Sequence, residues 1–82
     1  MPNDQGFVVR SPEDLGRAIG ELRRAHDLTQ EQAAAHAGTS RDWIAQLERG
    51  RMSRSFSIVL RLIRRLGGEL VVIPVKAPDG EA

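Results

Sequence analysis

The sequence predicts a mainly α-helical fold in which four short helices are followed by one C-terminal β-strand. Three observations carry that reading. Apolar residues recur at helical spacing near both ends of the helical region: Leu15, Ala18, Ile19 and Leu22, then Phe56, Val59, Leu60, Ile63 and Leu66. Between them, two shorter stretches each open on a capping residue and close on a glycine, Thr29 to Gly38 and Ser40 to Gly50. Beyond the last helix, Glu69-Leu70-Val71-Val72-Ile73-Pro74-Val75 is apolar on both alternating faces, as in a strand buried on both sides. Eighty-two residues make one domain, near the size where a single core is marginal and oligomerisation helps.

Each element has a local cause. Residues 1–6 read as a flexible arm, and Phe7-Val8-Val9 as a stub of strand or a hydrophobic staple. Ser11-Pro12-Glu13-Asp14 starts the first helix, with an N-cap serine, a proline at the first position and acids in the positive first turn; the periodicity then runs to about His26. Thr29 with Gln32 forms a capping box, and Gly38 suits the left-handed residue that ends the second helix. Ser40 caps the third helix, and Gly50 ends it. Arg51 to Arg54 read as a loop and Ser55 as the cap of a fourth helix. That helix turns Phe56, Val59, Leu60, Ile63 and Leu66 inward and Arg61, Arg64 and Arg65 outward, and Gly67-Gly68 stops it.

A lone strand cannot satisfy its backbone groups, and no second long strand is visible. The expected partner is therefore a second copy of the same strand. The division is a flexible arm at 1–6, a helical domain at 7–68, a dimerisation strand at 69–76 acting through Leu70, Val71, Val72 and Ile73, and a flexible tail at 77–82.

Residues 28–50 hold two short helices around a tight glycine turn, the helix-turn-helix pattern whose second helix enters the DNA major groove. Charge supports this. The overall net charge is only +1, yet residues 40–65 hold seven arginines against Asp42 and Glu48, a local net of +5. The five basic and nine acidic residues elsewhere give −4. Such a basic segment on a near-neutral chain is an electrostatic footprint for phosphate.

From the exposed face of the third helix, Arg41 offers a fork for guanine and Gln46 an amide for adenine. Asp42 either accepts from cytosine or orients a neighbouring arginine, and Trp43 touches a thymine methyl or serves the core or an interface. Ser40, Arg51, Ser53 and Arg54 are phosphate candidates by position and type.

Other chemistries are excluded. There is no cysteine, hence no disulfide or thiolate. His26 and His36 lack a third ligand, so no metal site is expected. No acid pair, nucleophile–base arrangement or phosphate-cradling glycine loop appears, so neither an enzyme nor a cofactor is expected. No apolar run approaches the roughly 20 residues of a membrane helix, and Met1-Pro2-Asn3-Asp4-Gln5 is unlike a signal peptide; a cytoplasmic location without membrane attachment is the expectation.

Residues 28–50 resemble the Cro/repressor (XRE) class of bacterial helix-turn-helix proteins. With Val9-Arg10-Ser11-Pro12-Glu13-Asp14-Leu15-Gly16 before them and Leu66-Gly67-Gly68-Glu69-Leu70 after, the chain resembles HipB-type antitoxins over roughly residues 7–75. The resemblance implies a homodimeric repressor of its own operon, bound to a palindromic double-stranded operator and neutralising a HipA-like kinase toxin. It implies that Gln30 binds phosphate and that Arg23 and Glu48 form a structural ion pair. A toxin would meet the outward face of the first helix (Glu13, Arg17, Glu21, Arg24), parts of the fourth helix and the tail. The alternatives are a free-standing or phage-type regulator and a protein-only inhibitor module.

Overall fold

The computed structural model describes residues 6–75. Its order is β1 (Phe7–Val9), α1 (Pro12–Ala25), α2 (Gln30–Ala37), α3 (Arg41–Glu48), α4 (Arg54–Arg65) and β2 (Leu70–Val72). The expected arm, Gly6 apart, and the tail lie outside the described residues.

Every helix starts on a hydroxyl cap. Ser11, Thr29, Ser40 and Ser53 each accept from the backbone N–H three residues on, replacing a hydrogen bond that the first turn cannot make. At α2 the capping box is closed both ways: Gln32 N donates to Thr29 Oγ1 at 3.0 Å, and Thr29 N donates to Gln32 Oε1 at 2.8 Å. Gly38 ends α2 at φ +73°, a left-handed conformation that costs glycine nothing. The fourth helix begins two residues earlier than expected. Ser53, not Ser55, is its cap, because Ser53 Oγ reaches Phe56 N at 3.4 Å and Arg54 is already helical.

Val9, Ala18, Ala34, Ile44 and Leu60 form the buried core. α2 packs chiefly on α3, and α1 lies against both α3 and β1. α1 meets α3 closely because Gly16 faces it without a side chain. A Cβ there would stand 2.5 Å from the Leu47 carbonyl oxygen and 2.6 Å from that of Glu48. Among the described residues no helix is long and apolar enough to cross a membrane.

Two expectations about the C-terminal half are corrected. The strand does not lack a partner in its own chain: β1 runs antiparallel to β2, with Phe7 opposite Val72, Val8 opposite Val71 and Val9 opposite Leu70. Three residues suffice to occupy one edge of β2: the segment expected as a stub of strand or a hydrophobic staple is a strand, and it pairs with β2. The strand is also shorter and less buried than the β-branched run implied. Leu70–Val72 are half-buried, while Ile73 and Val75 are exposed. In α4, Leu60 is buried and Phe56 and Ile63 are half-buried, but Val59 and Leu66 face solvent, being 48% and 77% exposed. The chain has too few packing elements to cover both flanks of that helix.

Candidate nucleic-acid interface

The first turn of α3 stands clear of the domain. Ser40 Oγ accepts from Trp43 N at 3.1 Å, which fixes where the helix begins. Ile44 is the buried anchor of α3, and Arg41, Asp42 and Trp43 are all exposed. Trp43, 54% exposed, is the one large aromatic surface on this turn. That exposure removes the core role considered for Trp43 and leaves contact with a partner or with DNA. Asp42 makes no ion pair among the described residues.

Gln46 and Arg51 come together. Arg51 Nη1 donates to Gln46 Oε1 at 2.9 Å, and the Arg51 backbone N–H donates to the Gln46 carbonyl at 3.0 Å. The Gln46 oxygen is thus already engaged, and the Arg51 fork is tied to α3. Bidentate readout of adenine needs both amide atoms, so Arg51 must let go of Gln46 or take over one of the two base contacts. Ser53 and Arg54, at the exposed start of α4, and Ser40 keep positions at helix N-termini, where backbone N–H groups and the helix dipole favour an anion.

Behind this surface lies a polar network. Arg23 of α1 grips Glu48 at the end of α3 through Nε–Oε2 at 2.6 Å and Nη2–Oε1 at 3.0 Å. Arg23 Nη1 also donates to the Leu28 carbonyl at 2.9 Å, and Gln30, the first residue of α2, donates from Nε2 to Glu48 Oε1 at 3.1 Å. One carboxylate therefore joins α1, α2 and α3. The ion-pair side chains are only 14% and 12% exposed. The hydrogen bonds from Arg23 hold the Glu48 carboxyl below the ordinary glutamate range, against the opposing cost of burial, and the Gln30 bond adds to the effect. The Arg23 guanidinium is correspondingly raised. Gln30 was expected to face phosphate; one of its two amide N–H groups is committed to Glu48, leaving the second to reach outward.

The sequence reading missed Gly16 and Gly20. They lie four apart on α1 and face the end of α3: a Cβ at Gly20 would stand 3.4 Å from Glu48 Oε1. The G-x-x-x-G spacing was the available signal, since small residues four apart let two helices approach. Among the described residues no cluster of His, Cys, Asp or Glu could hold a metal.

This arrangement defines a helix-turn-helix module, with α2 and α3 as its two helices. The comparisons with known proteins agree: the family model described as "Helix-turn-helix domain" matches residues 14–71, so the chain belongs to that family. A protein of Sinorhizobium fredii (strain NBRC 101917 / NGR234) named the uncharacterized HTH-type transcriptional regulator y4dJ is 36% identical over 69 residues, 80% of this chain and 90% of that one. An uncharacterized HTH-type transcriptional regulator of Methanothermobacter thermautotrophicus is 43% identical over 51 residues, 62% and 74% of the two chains. A second S. fredii regulator, y4mF, is 26% identical over 65 residues, 79% and 86% of the two chains. No solved structure matches. The chain is a DNA-binding regulator of the helix-turn-helix type and not an enzyme.

Proposed function

We propose that this protein is a sequence-specific transcriptional repressor that binds a palindromic operator as a homodimer. The exposed, capped first turn of α3 carries the reading: Arg41, Asp42 and Trp43 project free of the fold at the position where a recognition helix meets base edges. Arg41 reads guanine, Gln46 takes part in adenine readout together with Arg51, Asp42 accepts from cytosine and Trp43 lies against a thymine methyl or sugar edge. Gln30, Ser40, Ser53 and Arg54 hold the phosphates to either side. A two-fold pair places recognition helices about 34 Å apart, one turn of DNA.

Arg41→Ala should cost about 1–3 kcal/mol of specific binding and relax the preference at one base position. Arg54→Ala should weaken binding to all sequences alike and reduce the salt slope by about one. Gel shifts on operator and random DNA across a salt series separate the two effects; equal loss on both DNAs for both variants overturns the assignment.

We further propose that the repressor is an antitoxin that autoregulates a HipBA-like operon and restrains a kinase toxin. Support comes from the residues flanking the helix-turn-helix, Val9–Gly16 and Leu66–Leu70, which follow the HipB-type pattern. The outward face of α1 is open for such a partner: Glu13, Arg17, Glu21 and Arg24 are exposed, and three of them are neutralised locally by Arg17–Asp14 at 2.9 Å and Arg24–Glu21 at 3.6 Å. Co-expression with the product of the neighbouring gene tests it, a stable complex and relief of toxicity being the expected result. The names of the relatives, all transcriptional regulators, favour a free-standing regulator as the second reading, which a non-toxic neighbour that does not co-purify would establish.

A further inference from the structure

α4 carries an apolar ridge that is exposed among the described residues. Ile58, Val59, Leu62 and Leu66 are 42%, 48%, 54% and 77% exposed, four of the eight large apolar side chains exposed among the described residues. Ile58, Leu62 and Leu66 are spaced four apart and therefore form one i±4 ridge, with Val59 beside it. The ridge is symmetric about its centre: Leu62 has a large apolar neighbour four residues away on either side. Reversed end to end, it presents the same spacing.

We infer that this ridge is the surface on which two copies of the chain meet, with Leu62 next to the two-fold axis and Ile58 of each copy against Leu66 of the other. This rests on the homodimeric repressor reading above. A two-fold contact requires a patch complementary to itself, and a ridge symmetric about Leu62 meets that condition. Ridges of the i±4 kind pack together at about −50°, the commonest helix-crossing class. An interface of about 800 Å² per partner is about one seventh of the 5910 Å² surface of this chain. β2 is a weaker candidate for the principal contact: it is three residues long and β1 already holds one of its edges. In composition, Lys76–Ala82 contains no large apolar side chain and residues 1–5 only Met1.

The ridge has a charged border. Arg54 and Arg61 lie one helical turn either side of Ile58, and Arg61 and Arg65 adjoin Leu62; all three arginines are exposed. A two-fold contact draws the two borders towards each other. Dimerisation should therefore strengthen as salt rises, whereas DNA binding weakens with salt.

The chain has no cysteine, which permits a direct geometric test. Leu62→Cys on its own should give a disulfide-linked dimer under mild oxidation, because a residue beside the axis meets its own copy within the roughly 7 Å Cα separation that a disulfide tolerates. Ile58→Cys and Leu66→Cys should cross-link efficiently only when mixed. Leu62→Glu, at a side chain already more than half exposed, should keep the helical circular dichroism of the parent while raising the dimer dissociation constant by at least about tenfold in sedimentation equilibrium, about 1.4 kcal/mol. Ile73→Glu should leave dimerisation unchanged. A folded Leu62→Glu dimer of parental affinity overturns the inference, and loss of the dimer in Ile73→Glu instead moves the contact to the end of β2. Complete absence of a parental dimer at all concentrations and salts, with operator binding intact by gel shift, defeats the homodimer reading itself. Binding of the ridge only to an acidic partner protein, with no self-association, also overturns it.

Discussion

Glu48 is an acid beside the surface proposed to meet phosphate, and its partners explain how it is tolerated. Arg23 takes both carboxylate oxygens and Gln30 a second bond on one of them, so the charge is paired where it stands. Removing either partner strands a half-buried charge. Arg23→Ala and Glu48→Ala should each destabilise by about 3 kcal/mol, and the double variant by less than the sum; urea unfolding of the three proteins checks it, and strict additivity would show that the pair is energetically silent. The same pair sets an acid limit. A carboxylate held below its unfolded value, 4.5, contributes stability that is complete above that pH and lost as pH falls through the lower folded-state value. Glu48→Gln should therefore flatten the pH dependence of stability below about pH 4.5 while leaving its slope near neutrality unchanged, as thermal melts across pH would show. Gly16 is as constrained as the ion pair. Its missing Cβ is what admits the Leu47 and Glu48 carbonyls, so Gly16→Ala should cost about 1–3 kcal/mol through overpacking and, by displacing α3, weaken operator binding beyond its effect on stability.

At the scale of elements, the sequence was most legible where the cause is local. Thr29, Gln32, Gly38, Ser40 and Gly50 mark the ends of α2 and α3 because caps and left-handed turns depend on residues within one turn of each other. The start of α4 was harder: Ser53 and Ser55 are both good caps, and only the position of Phe56 against the core selects the first. What could not be read locally was pairing over long separations. Phe7–Val9 reads from sequence as either a stub of strand or a staple, and its register with Leu70–Val72 depends on where α1 and α4 deliver the two ends. The candidate site divides in the same way. Exposure of Arg41 and Asp42 follows from helix periodicity, but the Arg51–Gln46 bond does not, because it depends on how the chain turns after Gly50. Deleting residues 1–9 should leave the four helices assembled but remove Val9 from the core and uncover β2. Reduced unfolding cooperativity with retained helical signal is the expected result; an unchanged melt would show that β1 contributes nothing.

Across the whole molecule, the pairing of β1 with β2 joins segments from opposite ends of the described chain, the most widely separated partners in sequence. The helices rest on hydrogen bonds and packing between residues close in sequence, whereas this short ladder closes the longest loop and brings its entropy cost before any reward. It is therefore a late event in assembly and an early one in opening. In hydrogen exchange the amides of Val8 and Val71 should lose protection at lower free energy than those around Ala34 and Ile44, by sub-global release of the two ends together. The proposed recognition surface, on α2, α3 and the start of α4, lies within the sequence that this late ladder encloses. A molecule with its ends unlatched keeps the means to meet DNA, so occupancy of the operator and integrity of the sheet are separable properties of the same small chain.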